Sequence, residues 1–138
     1  MIVLDTNIIS ELFRPDPNPK VIRWLSAIGD DLAITAITLA ELLAGVERLP
    51  DGKRKSQLEA AIHDALAPFR PSSAILSFDD DAAVEYAKIL ARRDRAGLPM
   101  SLADAQIASI CKSHDAICAT RNVKDFQHTG VQLINPWD

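Results

Sequence analysis

The chain has 138 residues, 48% of them hydrophobic and 25% charged, which suits one soluble globular unit with a core of its own. Its formal net charge of −4 runs against a simple nucleic-acid binder, unless several acids are gathered into a metal site and count as site charge. Two cysteines, Cys111 and Cys118, are too few for a disulfide framework and match no zinc spacing, so they read as small apolar core residues of a reduced compartment.

The start, Met1-Ile2-Val3-Leu4-Asp5, shows no basic region ahead of a long apolar stretch. No apolar run approaches the ~20 residues that span a bilayer. A cytoplasmic location with no membrane partner is expected. Ile2 to Leu4 reads as a short buried strand that ends on a carboxylate, Asp5, and Ile8-Ile9, Leu12 and Phe13 then fall at helical spacing. Asn18 followed by Pro19 starts a helix, with Asn as N-cap and Pro at the first position; Val21-Ile22, Trp24-Leu25 and Ile28 make it amphipathic and Gly29 ends it.

Leu32 to Thr35 is a second strand. Thr38-Leu39-Ala40-Glu41 has the form of a capping box and opens a helix through Leu42-Leu43, Val46 and Leu49. After Pro50-Asp51-Gly52, a helix with a basic start, Lys53-Arg54-Lys55, runs through Leu58, Ile62 and Leu66, closed by Pro68 and Pro71. Ala74 to Phe78 is the third strand. Asp79 caps the next helix, whose apolar face is expected near Val84, Ala87, Leu90 and Ala91. Ser101-Leu102-Ala103-Asp104 repeats the Ser/Thr-x-x-acid pattern and starts a helix through Ile107, Ile110 and Cys111. Ala116 to Ala119 and Val131 to Ile134 are the fourth and fifth strands. Strands that alternate with helices predict an α/β fold with a mostly parallel sheet. No repeat, low-complexity stretch or linker divides the chain, so residues 1–138 are expected to form a single domain.

In open α/β sheets, chemistry sits outside the carboxyl ends of the strands. Asp5 ends the first strand, Glu41 and Asp104 lie on first turns of helices, and Asn122 and Asp125 follow the fourth strand in Thr120-Arg121-Asn122-Val123-Lys124-Asp125. Parallel strands bring all of these to one rim. Two carboxylates ~4 Å apart repel by about 1 kcal/mol in water and roughly 4 kcal/mol at the effective dielectric of a protein surface, so such a group needs protons or a cation. All-oxygen carboxylate sites suit Mg2+ or Mn2+, and an ion held this way supports hydrolysis of phosphodiesters. A capping role alone also accounts for Glu41 and Asp104, and a solvated turn for Asp125. Asp79, Asp80 and Asp81 fit a helix N-terminus and are read as structural. The histidines, His63, His114 and His128, have neither metal-motif nor triad spacing, and Trp24 and Trp137 read as packing residues.

Four blocks together, "VLDTNIISEL", "AITLAELLAG", "SLADAQIASI" and "ATRNVKDF…INPW", resemble the PIN-domain family, on its VapC and FitB branch of toxin ribonucleases from toxin–antitoxin modules. The resemblance implies a three-layer α/β/α fold around a five-stranded, mainly parallel sheet, and a Mg2+- or Mn2+-dependent endoribonuclease acting on RNA. Carried over residue by residue, the family acids fall on Asp5, Glu41 and Asp104 as the metal set. The fourth position departs: Asn122 stands where many relatives have an acid, and Asp125 stands where others place it. Asp5 and Asp104 then hold the ion, while Glu41 ligates it or orients the attacking water. Thr6, Asn7 and Thr120 support the acids by hydrogen bonds, and Arg121 and Lys124 are placed to meet phosphates. Lys53-Arg54-Lys55 and Arg92-Arg93-Arg95 are further basic runs, read first as solvated helix faces.

The resemblance also implies a cognate antitoxin, a homodimer and a toxin–antitoxin hetero-oligomer, with Leu12-Phe13 and Leu42-Leu43 as candidate contact surfaces. The competing reading is a non-catalytic PIN-fold interaction domain bound to an antitoxin-like partner. A phosphoacceptor that uses Asp5 as nucleophile finds no second acid beside it, since Thr6 and Asn7 follow.

Overall fold

The computed structural model describes residues 1–29, 31–70 and 74–138. Five strands, β1 (Ile2–Leu4), β2 (Leu32–Thr35), β3 (Ile75–Leu76), β4 (Ile117–Ala119) and β5 (Leu133–Ile134), form an all-parallel sheet in the order β3-β2-β1-β4-β5. Among the described residues, seven α-helices connect them: α1 (Thr6–Glu11), α2 (Pro19–Ala27), α3 (Ala36–Glu47), α4 (Lys53–Leu66), α5 (Asp80–Arg95), α6 (Leu102–Ser113) and α7 (Val123–Phe126). The expected α/β class and five strands are present, with β3 and β5 shorter than their apolar runs. Pro71 lies outside the described residues.

The alternation of side chains along a strand builds three layers. Val3, Ala33, Leu76 and Cys118 point to one face, where Ala82 and Ile89 of α5, Ile107, Ile110 and Cys111 of α6, and Phe126 of α7 cover them. Leu4, Ile34 and Ala119 point to the other, against Ile8 and Ile9 of α1, Val21 of α2, Leu42 and Val46 of α3, and Ile62 and Leu66 of α4. Both cysteines are fully buried core residues, as their spacing suggested. Trp24 and Trp137 pack against the second cluster. Among the described residues no helix is long and apolar enough to cross a membrane.

Local signals decide most helix starts. Asn18 accepts from the Lys20 amide at 2.9 Å with Pro19 at the first position, Asp79 accepts from the Ala82 amide at 2.9 Å, and Ser101 accepts from the Asp104 amide at 3.2 Å. Two expectations need correction. The helix after β2 begins at Ala36, not after Thr38: its N-cap is Thr35, whose hydroxyl accepts from the Thr38 amide at 3.0 Å. Glu41 is thereby the sixth residue of α3 and has no capping role. The core face of α5 is also rotated from the one expected. Ala82, Ile89 and Arg93 are buried, whereas Val84 is 55% exposed.

Thr35→Val keeps the side-chain shape but removes the acceptor and leaves the Thr38 amide buried without its partner. It is expected to cost about 1–2 kcal/mol, read as a lower urea midpoint at unchanged slope. A variant as stable as the parent would move the helix start back to Thr38.

Candidate active site

The chain leaves β1 for β2 on one side of the sheet and reaches β4, on the other side of β1, only after β3. The crevice outside the carboxyl ends of β1 and β4 is therefore the point where the strand order reverses, which is where parallel α/β sheets bind ligands. Asp5 lies at that point. Its amide continues the β1–β4 ladder by donating to the carbonyl of Ala119 at 2.9 Å, and its side chain turns into the crevice as the N-cap of α1.

The Asp5 carboxylate is only 4% exposed and is held by three donors. The Thr6 amide donates to Oδ1 at 2.7 Å, while the Thr120 hydroxyl at 2.7 Å and the Asn7 side-chain amide at 3.2 Å donate to Oδ2. Asn7 also accepts from the Arg121 amide at 3.3 Å, and Thr120 accepts from the Asn122 amide at 3.0 Å. Thr6, Asn7 and Thr120 thus all support Asp5, as expected from their positions. Thr6 does more, since its hydroxyl donates to Oε1 of Glu41 at 2.7 Å and lies 3.1 Å from the hydroxyl of Thr38, itself 3.4 Å from Thr35. A run of hydroxyls therefore links the end of β2 to Glu41.

Electrostatics place the remaining acids. Burial pushes the Asp5 carboxyl above its ordinary value; the Thr120 and Thr6 hydrogen bonds oppose the rise, and the charges of Asp104 and Glu41 add to it. Burial also raises Asp104, again with the negative charges of Asp125 and Glu41 adding, while the Ser101 hydroxyl and the Arg93 guanidinium work against it. Asp5, Glu41, Asp104 and Asp125 thus come from four stretches of chain to share one region. They stand apart: among the described residues, only Asp79, Asp80 and Asp81 have three ligand oxygens all within 4.8 Å, and those three are exposed at the start of α5. Asn122 precedes α7 in its N-cap place, and the Asp125 amide donates to the Asn122 carbonyl at 2.9 Å.

Arg121 and Lys124 are exposed beside these acids. The Arg121 guanidinium lies 5.3 Å from the centre of the Trp137 ring, in a cleft shared with Arg14 and the buried Glu11, which pair at 3.2 Å. A second groove, of about 630 Å³, starts at Thr6 and Glu41 and runs over Leu12, Phe13, Leu42, Val46, Leu58 and Ile62, with Arg14 and Arg54 among its lining residues.

Arg93 is the residue that sequence reasoning missed. It stands in a basic run, yet it is 4% exposed. Its Nη1 donates to the carbonyls of Gln127 at 2.8 Å and Lys124 at 3.5 Å, and its Nη2 to that of Pro99 at 3.0 Å. It ties the turn before Asp104 to the end of the helix that carries Asp125. The available signal was its place four residues after Ile89, on the same stripe of α5.

Two outcomes follow from these contacts. Because the native state binds the Asp104 proton more tightly than the unfolded chain does, the ionised carboxylate weighs against folding at neutral pH. That penalty disappears as pH falls through the raised native value towards 3.8. Asp104→Asn is thus expected to melt higher than the parent at pH 7 without added metal, with the gap closing in acid. Arg93→Lys, which cannot reach all three carbonyls, is expected to lose about 2 kcal/mol by chemical denaturation.

The PIN domain family model matches residues 2–131. Toxin FitB of Neisseria gonorrhoeae is 41% identical over 138 residues, covering 99% of both chains. VapC ribonuclease Y4jK of Sinorhizobium fredii is 38% identical over 143 residues, covering 100% of this chain and 99% of the relative. A solved structure of FitAB bound to an IR36 DNA fragment superimposes with a TM-score of 0.93 at 38% identity, over 100% of this chain and 96% of the other. Fold and sequence agree, and the chain belongs to the PIN domain family, within the group that holds the FitB and VapC toxins.

Proposed function

We propose that this protein is a divalent-metal-dependent endoribonuclease and the toxin of a toxin–antitoxin pair. The observation that carries the reading is the gathering of Asp5, Glu41, Asp104 and Asp125 at the carboxyl ends of β1 and β4, with Asp5 and Asp104 held away from easy ionisation. A bound cation relieves that cost. The donors are all oxygen, which suits Mg2+ or Mn2+ rather than zinc. Mg2+ keeps several of its waters and takes only one or two carboxylates directly, so acids that stand apart fit it better than a tight cage would. The relatives support the same reading, since one is named a toxin and another a VapC ribonuclease.

In this reading Asp5 and Asp104 hold the ion. Thr6 occupies one oxygen of Glu41, leaving the other to ligate or to orient water. Asp125, rather than Asn122, supplies the fourth carboxylate. When bound, the metal brings positive charge to the scissile phosphate and lowers the pKa of a water. The chain's own groups fix the geometry: the Thr120 and Asn7 donors hold Asp5 in one orientation, and Arg121 and Lys124 meet neighbouring phosphates. The reaction is hydrolysis, in which a water oxygen replaces one ester oxygen at phosphorus and the departing oxygen takes a proton. The antitoxin lies along the apolar groove that ends at Thr6 and Glu41, where it would cover Leu12, Phe13 and Leu42 and block the acids at once.

The test is cleavage of a mixed RNA pool by antitoxin-free protein with Mg2+, with Mn2+ and with chelator, beside Asp5→Asn. Cutting is expected to need metal and to disappear in the variant. Cutting that survives both changes overturns the assignment, and a protein that binds its partner but cuts nothing under any metal returns the reading to a non-catalytic interaction domain. Thr120→Val, which removes a donor to Asp5 without touching an acid, is expected to weaken apparent Mn2+ affinity about 10–100-fold, measured by the metal dependence of the melting temperature.

A further inference from the structure

Basic side chains from the last turns of α5 and α6 and from the loop before β5 surround a cleft of about 500 Å³. Arg92 and Arg95 come from the last turn of α5, Lys112 from the last turn of α6, and His128 from the loop before β5; Gly130 completes the lining. No carboxylate lines it, and among the described residues none of these groups is in an ion pair. In a chain of net charge −4, such concentration of like charge is repulsive unless an anion neutralises it.

The loop holds the cations in place. His128 and Gly130 both have left-handed backbone, at φ 63° and 79°. The Thr129 hydroxyl braces the turn by donating to the carbonyl of Phe126 at 2.7 Å. Arg92 Nη1 donates to the carbonyl of Thr129 at 2.9 Å, and Lys112 Nζ to that of Gly130 at 3.3 Å. A Cβ at Gly130 would stand 2.7 Å from Arg92 Nη1, so the missing side chain leaves room for the guanidinium. These neutral carbonyls use a fraction of the available N–H donors and none of the charge.

We infer that this cleft binds backbone phosphates of the RNA strand at a distance from the bond being cut. The inference rests on the ribonuclease reading. Asp104 and Lys112 are separated by about 12 Å along the axis of α6, so one flexible strand reaches both ends of the helix. Arg93, the middle member of the same run, takes no part, because its guanidinium is spent on three carbonyls.

The test is binding of a labelled single-stranded RNA, long enough to span both ends of α6, in chelator so that nothing is cut. The variants are Arg95→Gln/Lys112→Gln and a control pair, Lys20→Gln/Arg23→Gln, which removes equal charge from α2. The cleft pair is expected to bind about tenfold more weakly at low salt. Its log–log salt slope, taken between roughly 50 and 200 mM salt, is expected to be shallower by about 0.7 for each phosphate that the variant no longer neutralises. The control pair keeps the parent slope. With metal restored, the cleft pair raises KM for the long RNA, leaves kcat unchanged and cuts a short oligonucleotide covering only the cut site as the parent does. Should the double variant melt early, Arg95→Gln alone gives the same readouts, since the Arg95 side chain makes no hydrogen bond or ion pair to the described residues.

A slope equal to the control's, or an equal loss on long and short substrates, overturns the inference. So does displacement of the RNA by inorganic phosphate or an acidic peptide as readily as by unlabelled RNA. The two readings fail separately: cleft-dependent binding with no cutting removes the ribonuclease, and Asp5-dependent cutting with no cleft effect removes the cleft.

Discussion

Asp5 leaves water at the end of the central strand, and its charged form is tolerated there only because neighbours donate to it. The Thr6 amide, the Asn7 side chain and the Thr120 hydroxyl make up that set. Thr120 is 115 residues away in sequence and reaches Asp5 only when β4 lies beside β1 in the observed register, Leu4 against Ala119. Strand pairing and support of the acid are therefore one event. The Asn7 amide adds a second tie across the same gap through the Arg121 backbone. An unsupported carboxylate at this depth would protonate or exclude the fold.

The cost does not end with Asp5. Asp104 sits half-buried near Glu41 and Asp125, whose negative charges add to the burial that makes it harder to ionise. Two full hydrophobic layers, one on each face of the sheet, supply the stability against which this repulsion is set. Arg93 offsets part of it from beneath, as a buried cation near Asp104 whose hydrogen bonds also lock the approach to α6 and the end of α7. Charge is sorted along α6, with one carboxylate, Asp104, at its first turn and one cation, Lys112, at its last. That sorting runs with the helix dipole at both ends in sign.

Much of this was legible in the sequence because the signals are local. Asn18-Pro19, Asp79 and Ser101 each cap the helix that their own side chain announces, and short apolar runs mark the five strands. Where two local readings competed, the sequence was ambiguous. Thr35 and Thr38 are both three residues ahead of a group they could serve, and only the pairing of Thr35 with Leu76, which carries β2 through Thr35, decides between them. Glu41 changed meaning with that decision, from a cap to a side chain held by Thr6. On α5, Val84 and Leu90 suggested one apolar stripe, yet the helix buries Ala82, Ile89 and Arg93. Hydrophobicity could not show this, because the arginine is buried for its fit to three distant carbonyls.

The sequence by itself determined the α/β class and the parallel sheet, since periodicity and caps need no partner from elsewhere in the chain. It could not decide which hydroxyl caps α3, which arginine turns inward, or how the basic side chains of α5, α6 and the loop before β5 come to face one another. Those outcomes depend on contacts between residues far apart in the chain. They exist only once the strand order places β4 against β1 and α5 packs against α6.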